Sequence, residues 1–210
     1  MISELRQLLR LKLNENFTLT KNHLGQRALI LASVAEDMQV GFVIQKTKRR
    51  NISNKLVDIG ARVPSVEAIY DEYEIERMRE MGFRDRTPVC WLTFWRPSYS
   101  SLQLEESGLT VDAILQDFVR LYDSIMDDVA SARAAMLELL SNARRPSWAT
   151  APGSTMLIIK GLIVRALHDP EVDACAHVEK LIANEPHIEG YEAEIDRFCD
   201  WLRLTYYPQI

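Results

Sequence analysis

The sequence is poor in cysteine, and its cysteines are not spaced as a disulfide framework or a zinc site requires. Only three occur, Cys90, Cys175 and Cys199, and no CxxC pair is present. Disulfide-rich domains carry an even set of cysteines, and structural zinc sites carry closely spaced pairs. Each cysteine lies in an apolar run, where a free thiol behaves as a small hydrophobic group. We therefore expect a protein of the reducing cytoplasm, without disulfides.

Glycine is also scarce, which argues against a nucleotide-binding site. Phosphate-binding loops need several glycines close together before a helix, because the backbone must approach the phosphates. The eight glycines are scattered, and neither GxGxxG nor GxxxxGK[ST] occurs. The hydrolase and metalloprotease motifs GxSxG and HExxH are missing too. The sequence therefore predicts no cofactor and favours a protein that is not an enzyme.

Long apolar runs are missing as well. A membrane-spanning helix needs about 20 mostly apolar residues in succession, and no stretch of the chain approaches that length. The first segment, MISELRQLLRLKLNEN, alternates charged residues with leucine, unlike the continuous apolar centre of a signal peptide. We expect no membrane among the partners of this protein.

The residues that are present describe an ordinary globular protein. The chain has 210 residues, of which 47% are apolar and 26% are charged, enough for one large domain or two small ones with a real core. Its formal net charge is −5. This balance argues against coating nucleic acid by bulk charge, because such binding needs many basic residues facing phosphates.

The first hundred residues carry the pattern of a small sheet with helices. Leucines at helical spacing predict an amphipathic helix over residues 2–15. Four short runs rich in Val, Ile and Leu then predict an antiparallel meander: FTLTKNHL, RALILASVAED, MQVGFVIQKTK and NKLVDIGARV. A helix over 66–81 follows, with Ser65 as its N-cap. The run PVCWLTFWRP, residues 88–97, is bounded by prolines and predicts one further strand.

The second hundred residues are predicted to be helical. The helices span 111–142, 155–167, 171–184 and 191–205, with Asp169 capping the third. Strands segregated from helices indicate an α+β protein. We predict an antiparallel β-meander of about five strands in the N-terminal half with helices packed on it, followed by a helical C-terminal half. Residues 1–100 would form the sheet region and residues 101–210 the helical region, packed together as one compact domain.

The stretch IQKTKRRNISNK, from Ile44 to Lys55, concentrates positive charge in an acidic chain. It contains five basic residues and no acid: Lys46, Lys48, Arg49, Arg50 and Lys55. One interpretation is a hairpin connection whose charge is solvated or paired with the acidic helix over 66–81. The other is a contact surface for nucleic acid or an acidic protein.

Two tryptophans complete the set of candidate partner-binding residues. Strand alternation places Trp91 and Trp95 on one face together with Thr93. They either pack beneath a helix or form a surface for a partner, including one on which bases stack.

The segment HDPEVDACAH is the densest group of potential metal ligands. Asp173 and His177 lie four residues apart, and His168 at the preceding cap could approach them. A third or fourth ligand cannot be assigned, so the pattern favours a capped helix and no metal.

The order of elements resembles bacterial proteins of the family called domain of unknown function 4304. The similar parts are the Gln45-Lys46 end of one strand, the basic turn after it, and the strand VDIGARVP at Val57 to Pro64. The resemblance covers about residues 1–140. It implies no known activity, so no catalytic residue follows from it.

These observations favour a non-enzymatic protein-binding module that uses an exposed sheet face or the acidic helix. One concrete version is an immunity-type inhibitor of a toxin, because a small acidic domain without catalytic motifs suits a basic nuclease. The alternatives are a nucleic-acid-binding protein that uses the hairpin 46–55, and an enzyme with a scattered site near His168 and His177.

Overall fold

A computed structural model describes residues 7, 17–21, 27–35, 37–49, 52–83, 92–100, 111–150, 152–183 and 192–207. The strands are β1 (Phe17–Lys21), β2 (Arg27–Ala35), β3 (Met38–Arg49), β4 (Ile52–Arg62) and β5 (Phe94–Ser100). They form one antiparallel sheet in the order β1-β2-β3-β4-β5. The pairing of β3 with β4 is the longest and runs from Gln39–Arg62 to Arg49–Ile52 without a register shift.

Six α-helices lie in the described part of the chain. They are α1 (Pro64–Glu80), α2 (Val111–Met126), α3 (Val129–Ser141), α4 (Ser154–His168), α5 (Val178–Ala183) and α6 (Glu192–Tyr206). A short 3₁₀ helix, η1 (Ala174–His177), precedes α5. The predicted helix over 2–15 lies outside the described residues, except for Gln7.

The predicted fold class is wrong in its antiparallel meander of about five strands, whereas its general α+β character holds. More of the described residues lie in helices than in strands, so the protein is mainly helical. The strands do not form a five-strand meander, because β5 reaches β4 only after α1. Among side chains that the structure describes, only the three strands β3, β4 and β5 contribute to the main core. The four Val- and Ile-rich runs do contain β1 to β4, but the helices together include more residues than the strands.

The last strand differs from its prediction in position. It spans Phe94–Ser100 instead of 88–97, so Pro97 lies within the strand. Since β5 is an edge strand, the N–H that proline lacks does not interrupt another ladder. The register with β4 shifts between Val57 and Asp58, next to the proline. The two prolines of PVCWLTFWRP therefore do not bound the strand.

Helix α1 begins earlier than predicted and is capped by another part of the chain. Val63 occupies the N-cap position without a side-chain hydrogen bond, and Pro64 is the first helical residue. Asp37 from the β2–β3 turn accepts hydrogen bonds from the Ser65 amide at 2.9 Å and the Ser65 hydroxyl at 2.7 Å. Arg133 of α3 donates to the same carboxylate at 2.7 Å. The turn thus caps α1 and ties it to α3.

Two predicted helices are divided. The span 111–142 breaks after Met126, and Asp128 caps α3 by accepting a hydrogen bond from the Ser131 amide at 3.0 Å. The span 171–184 begins with η1, which is capped by Asp173 and not by Asp169. In both cases an acidic residue followed by a helix-forming run is an N-cap signal inside a longer apolar pattern.

Helix α4 lies at the centre of the core. Eight consecutive residues, Leu157 to Val164, are buried, as expected of a helix that is covered on all sides. Gly161 allows the close approach to α3, because a Cβ there would stand 2.5 Å from the Leu140 carbonyl oxygen. A charged residue, Lys160, nevertheless lies at the centre of this apolar helix.

Candidate functional site

The candidate site is an open cleft of about 540 Å³ along one face of α1, which we call the α1 cleft. It is lined by Arg62, Ala68, Asp71, Glu72, Ile75, Glu76 and Arg79. The helical members are three or four residues apart and therefore share a face. Arg62, at the end of β4, adds a guanidinium from just before the helix. Three acids and two arginines thus surround the opening.

A buried ion pair lies behind this cleft. Glu67 and Lys160 are both fully buried, and Nζ of Lys160 lies 2.7 Å from Oε1 of Glu67. Lys160 also donates to the Leu92 carbonyl oxygen at 3.1 Å, and the Thr93 hydroxyl donates to Oε1 of Glu67 at 2.8 Å. Burial lowers the pKa of Lys160, and the nearby Glu67 opposes that shift. The pair joins α1, α4 and the segment before β5.

Aromatic rings surround the ammonium group of Lys160. Nζ lies 5.2 Å from the ring centre of Tyr70 and 5.7 Å from that of Trp95, both within the range of a cation–π contact. Trp95 is partly exposed and also packs against Val43 and Leu92. This predicted partner-binding residue therefore contacts the buried ion pair. Trp91 lies outside the described residues.

Asp71 is the buried carboxyl of the α1 cleft. Only 6% of the residue is exposed. Burial, followed by the charge of Glu67, raises its pKa to about 7, although Arg62 and Lys160 act in the opposite direction. Nη2 of Arg62 lies 3.8 Å from Oδ2 of Asp71, which is too far for a hydrogen bond.

Two polar atoms next to the cleft lack hydrogen bonds within the described residues. They are Oδ1 of Asp71 and Nε of Arg62. Oε2 of Glu67, behind the cleft, is a third buried polar atom of this kind.

Two aromatic residues of α6 contact acids that line the α1 cleft. The Trp201 indole donates from Nε1 to Oε2 of Glu76 at 2.5 Å, and the Tyr206 hydroxyl donates to Oε2 of Glu72 at 3.2 Å. The two rings lie 5.9 Å apart. The Glu72 and Glu76 carboxylates are thus positioned by aromatic side chains of α6.

The basic hairpin is a regular two-stranded segment up to its turn. Lys46 lies directly opposite Lys55 across β3 and β4, Lys48 opposite Ser53, and Arg49 ends β3 opposite Ile52. Arg50 lies outside the described residues. The register thus places two basic residues, Lys46 and Lys55, at opposite positions near the turn.

Of the five acids of α1 with described partners, four contact other parts of the fold, and the fifth, Glu74, pairs with Arg77 of the same helix. The five are Glu67, Asp71, Glu72, Glu74 and Glu76, which contact Lys160, Arg62, Tyr206, Arg77 and Trp201 respectively. The interpretation that this helix neutralises the basic hairpin therefore gains no support from these five acids.

The structure brings together only part of the predicted group of potential metal ligands, His168, Asp173 and His177. His168 and His177 line a second cleft, of about 390 Å³. Asp173 does not join them, because it accepts from the Cys175 amide at 2.9 Å and lies 2.9 Å from Nη2 of Arg203. Over the described ranges, no group of three His, Cys, Asp or Glu side chains could hold a metal ion.

The sequence analysis missed Arg62, Glu67, Asp71 and Lys160 as site residues. A sequence feature could have identified Lys160, because it interrupts the apolar run of a helix and a lysine is buried only when it is paired. No such feature marks Asp71 or Arg62, because these residues meet only through the orientation of α1 relative to β4.

Comparison with protein-family models, curated proteins and solved structures found no match to this chain. The resemblance to the family of domain of unknown function 4304 stays a prediction. Within the part of the chain that the structure describes, no helix is long and apolar enough to cross a membrane.

Proposed function

We propose that the protein is a non-enzymatic protein-binding module whose contact surface centres on the α1 cleft. The observation that carries this proposal is the open cleft itself, whose rim combines the exposed acids Glu72 and Glu76 with aromatic side chains of α6. A partner that covers the cleft would face these exposed carboxylates and could donate hydrogen bonds to them.

An immunity-type inhibitor of a toxin is a concrete form of this function. An acidic chain attracts a basic partner over a distance, and complementary charge raises the association rate and selects the partner. The exposed carboxylates of Glu72 and Glu76 on the rim suit a basic toxin such as a nuclease.

The proposal is tested by capture of proteins encoded next to this chain, with the purified protein as bait at low and moderate salt. Ala68 is exposed and lines the cleft, so Ala68→Arg should obstruct the surface and reduce binding at least tenfold. Ala134→Arg is the matched control, because Ala134 is exposed on α3 away from the cleft. Absence of any binding neighbour, or equal effects of the two variants, would contradict the proposal.

A second candidate function is nucleic-acid binding through the basic hairpin, where the register of β3 and β4 places Lys46 opposite Lys55. Affinity for a DNA or RNA duplex should then fall steeply with salt concentration. The double variant Arg49→Glu/Arg50→Glu should abolish binding at low salt. Binding that is unchanged in this variant would exclude the hairpin as the contact.

A further inference from the structure

The α1 cleft has an uneven balance of charge around its buried carboxyl. On α1 itself, Glu67 and Glu74 add negative potential at Asp71, whereas Arg62 of β4 and Lys160 of α4 add positive potential. Lys160 is already paired with Glu67 at 2.7 Å, and Arg62 stays 3.8 Å away from Asp71. The compensation of the Asp71 charge by the fold is therefore incomplete.

This incomplete compensation selects the kind of ligand. Burial raises the pKa of Asp71 to about 7, so the carboxyl attracts a proton under conditions in which an ordinary aspartate is ionised. The negative charges of Glu67 and Glu74, which contribute to this shift after burial, would also attract a positively charged group. An anion would meet three acids, Asp71, Glu72 and Glu76, against the two arginines, and is disfavoured.

We infer that the α1 cleft is an anchoring site for a basic side chain, arginine or lysine, of the protein partner. This inference rests on the proposed protein-binding function and names the chemistry of its partner. The cation would lie beside the Asp71 carboxyl, between Glu72 and Glu76, where Tyr206 offers a partly exposed ring.

The cation competes with a proton for the Asp71 carboxylate, so its binding depends on pH. Asp71 must be ionised to bind the cation, so affinity rises as pH increases through about 7. For a carboxyl that titrates there, the ionised fraction changes about tenfold between pH 6 and pH 8. Affinity for the cation should change by a similar factor.

The test uses the whole protein and two capped tripeptides, Gly-Arg-Gly and Gly-citrulline-Gly, which differ in the charge of an otherwise similar side chain. Binding is followed by amide chemical shifts in NMR titrations at pH 6 and pH 8. The arginine peptide should bind about tenfold more tightly at pH 8, with shifts concentrated around residues 62 and 68–79. The citrulline peptide should bind at least tenfold more weakly than the arginine peptide at pH 8.

Three variants distinguish binding at Asp71 from a general effect of the charge of the protein. Asp71→Asn should weaken arginine binding at pH 8 and remove its pH dependence. Arg79→Gln should strengthen binding two- to threefold, because it removes a positive charge from the lining. Glu80→Gln removes a negative charge from the same helix outside the cleft lining and should change affinity less than twofold.

Equal binding of the two peptides, or a pH dependence that persists in Asp71→Asn, would overturn the inference. Its failure can be distinguished from failure of the proposed function. A partner that is captured through Ala68 while both peptides bind equally supports the interface but not the cation site. Selective arginine binding without any captured partner supports the cation site but not the protein interface.

Discussion

At the scale of single residues, the least expected feature is a charged pair in the most apolar helix. Lys160 and Glu67 are fully buried, and each has additional hydrogen bonds that offset part of the desolvation cost. Removing one member of a buried ion pair costs much more stability than replacing both members with apolar side chains, because the remaining charge is buried without a partner.

Lys160→Met should destabilise the protein by roughly 3–5 kcal/mol, because it leaves the Glu67 carboxylate buried without its cation. Urea unfolding followed by circular dichroism measures the loss. Adding Glu67→Gln to this variant should recover most of it, since glutamine keeps a group for the Thr93 hydroxyl without a charge. A Lys160→Met protein within 1 kcal/mol of the original would contradict a structural role for the pair.

Asp71 makes stability depend on pH in the direction opposite to an ordinary surface carboxylate. Its pKa is about 7 in the folded protein, against an ordinary value of 3.8. Between these two values the folded state binds more protons than the unfolded state, so the Asp71 contribution is fully present below about pH 4. It is lost as pH rises to about 7.

Asp71→Asn should remove that dependence. The variant should match the original protein near pH 4 and be more stable by roughly 2–4 kcal/mol above pH 7, as about 1.4 kcal/mol per pKa unit implies. Free energies of unfolding for both proteins at pH 4.5, 6 and 8 test this. A difference that is constant over this range would show that Asp71 has an ordinary pKa.

At the scale of elements, the helices are positioned by a small number of close contacts. Helix α4 approaches α3 at Gly161, and α1 is followed, after its C-cap Met81, by Gly82, whose φ of 84° is in the left-handed region. There the Gly82 amide donates to the Arg79 carbonyl oxygen at 2.9 Å and the Phe83 amide to that of Met78 at 3.1 Å. This is the Schellman arrangement, in which glycine avoids the cost of a left-handed conformation.

Gly161→Ala should destabilise the protein by roughly 1–3 kcal/mol, because the added methyl would lie 2.5 Å from the Leu140 carbonyl oxygen and separate the two helices. The matched control is Gly153→Ser, at the N-cap of the same helix, where a Cβ meets nothing within 4 Å. Serine would supply a missing cap and should stabilise by about 0.5 kcal/mol. Thermal unfolding should show a lower midpoint temperature for Gly161→Ala and a higher one for Gly153→Ser than for the original protein.

At the scale of the whole molecule, contacts cross between the first and second hundred residues. Phe42 of β3 stacks on Phe118 of α2 with ring centres 4.5 Å apart, and Tyr73 of α1 meets Phe198 of α6 at 4.9 Å. One set of buried residues includes members of three strands and of all six helices. The prediction of one compact domain from residues 1–100 and 101–210 stays a prediction, and these contacts support it.

Residues 101–210 expressed alone should therefore fail to fold. They would expose the apolar face of α4 and leave Lys160 without Glu67 and the Leu92 carbonyl oxygen, both of which come from the first hundred residues. Circular dichroism should show little stable helix and no cooperative thermal transition, whereas the complete chain should unfold in one step. A cooperative transition in the isolated fragment would show that the helical region is a separate domain.

Local signals predicted the approximate positions of most elements but not the contacts between them. The hydrophobic pattern located β2 to β4 and the helices α1, α4 and α6 to within a few residues, since each element has its own period. It misplaced β5, because whether Pro97 can lie in a strand depends on that strand being at the edge of the sheet. It also missed the cap of α1, because Asp37 is remote in sequence from Ser65.

What the sequence determined by itself is the set of elements and the absence of the glycine-rich and cysteine-paired motifs, because both depend on residues close together in the chain. Only the tertiary structure decided the pairing of Glu67 with Lys160 and the formation of the α1 cleft. Burial by distant segments leaves Oδ1 of Asp71 and Nε of Arg62 without hydrogen bonds, and it raises the pKa of the Asp71 carboxyl. Burial is a property of the packed molecule, so no local pattern carries it.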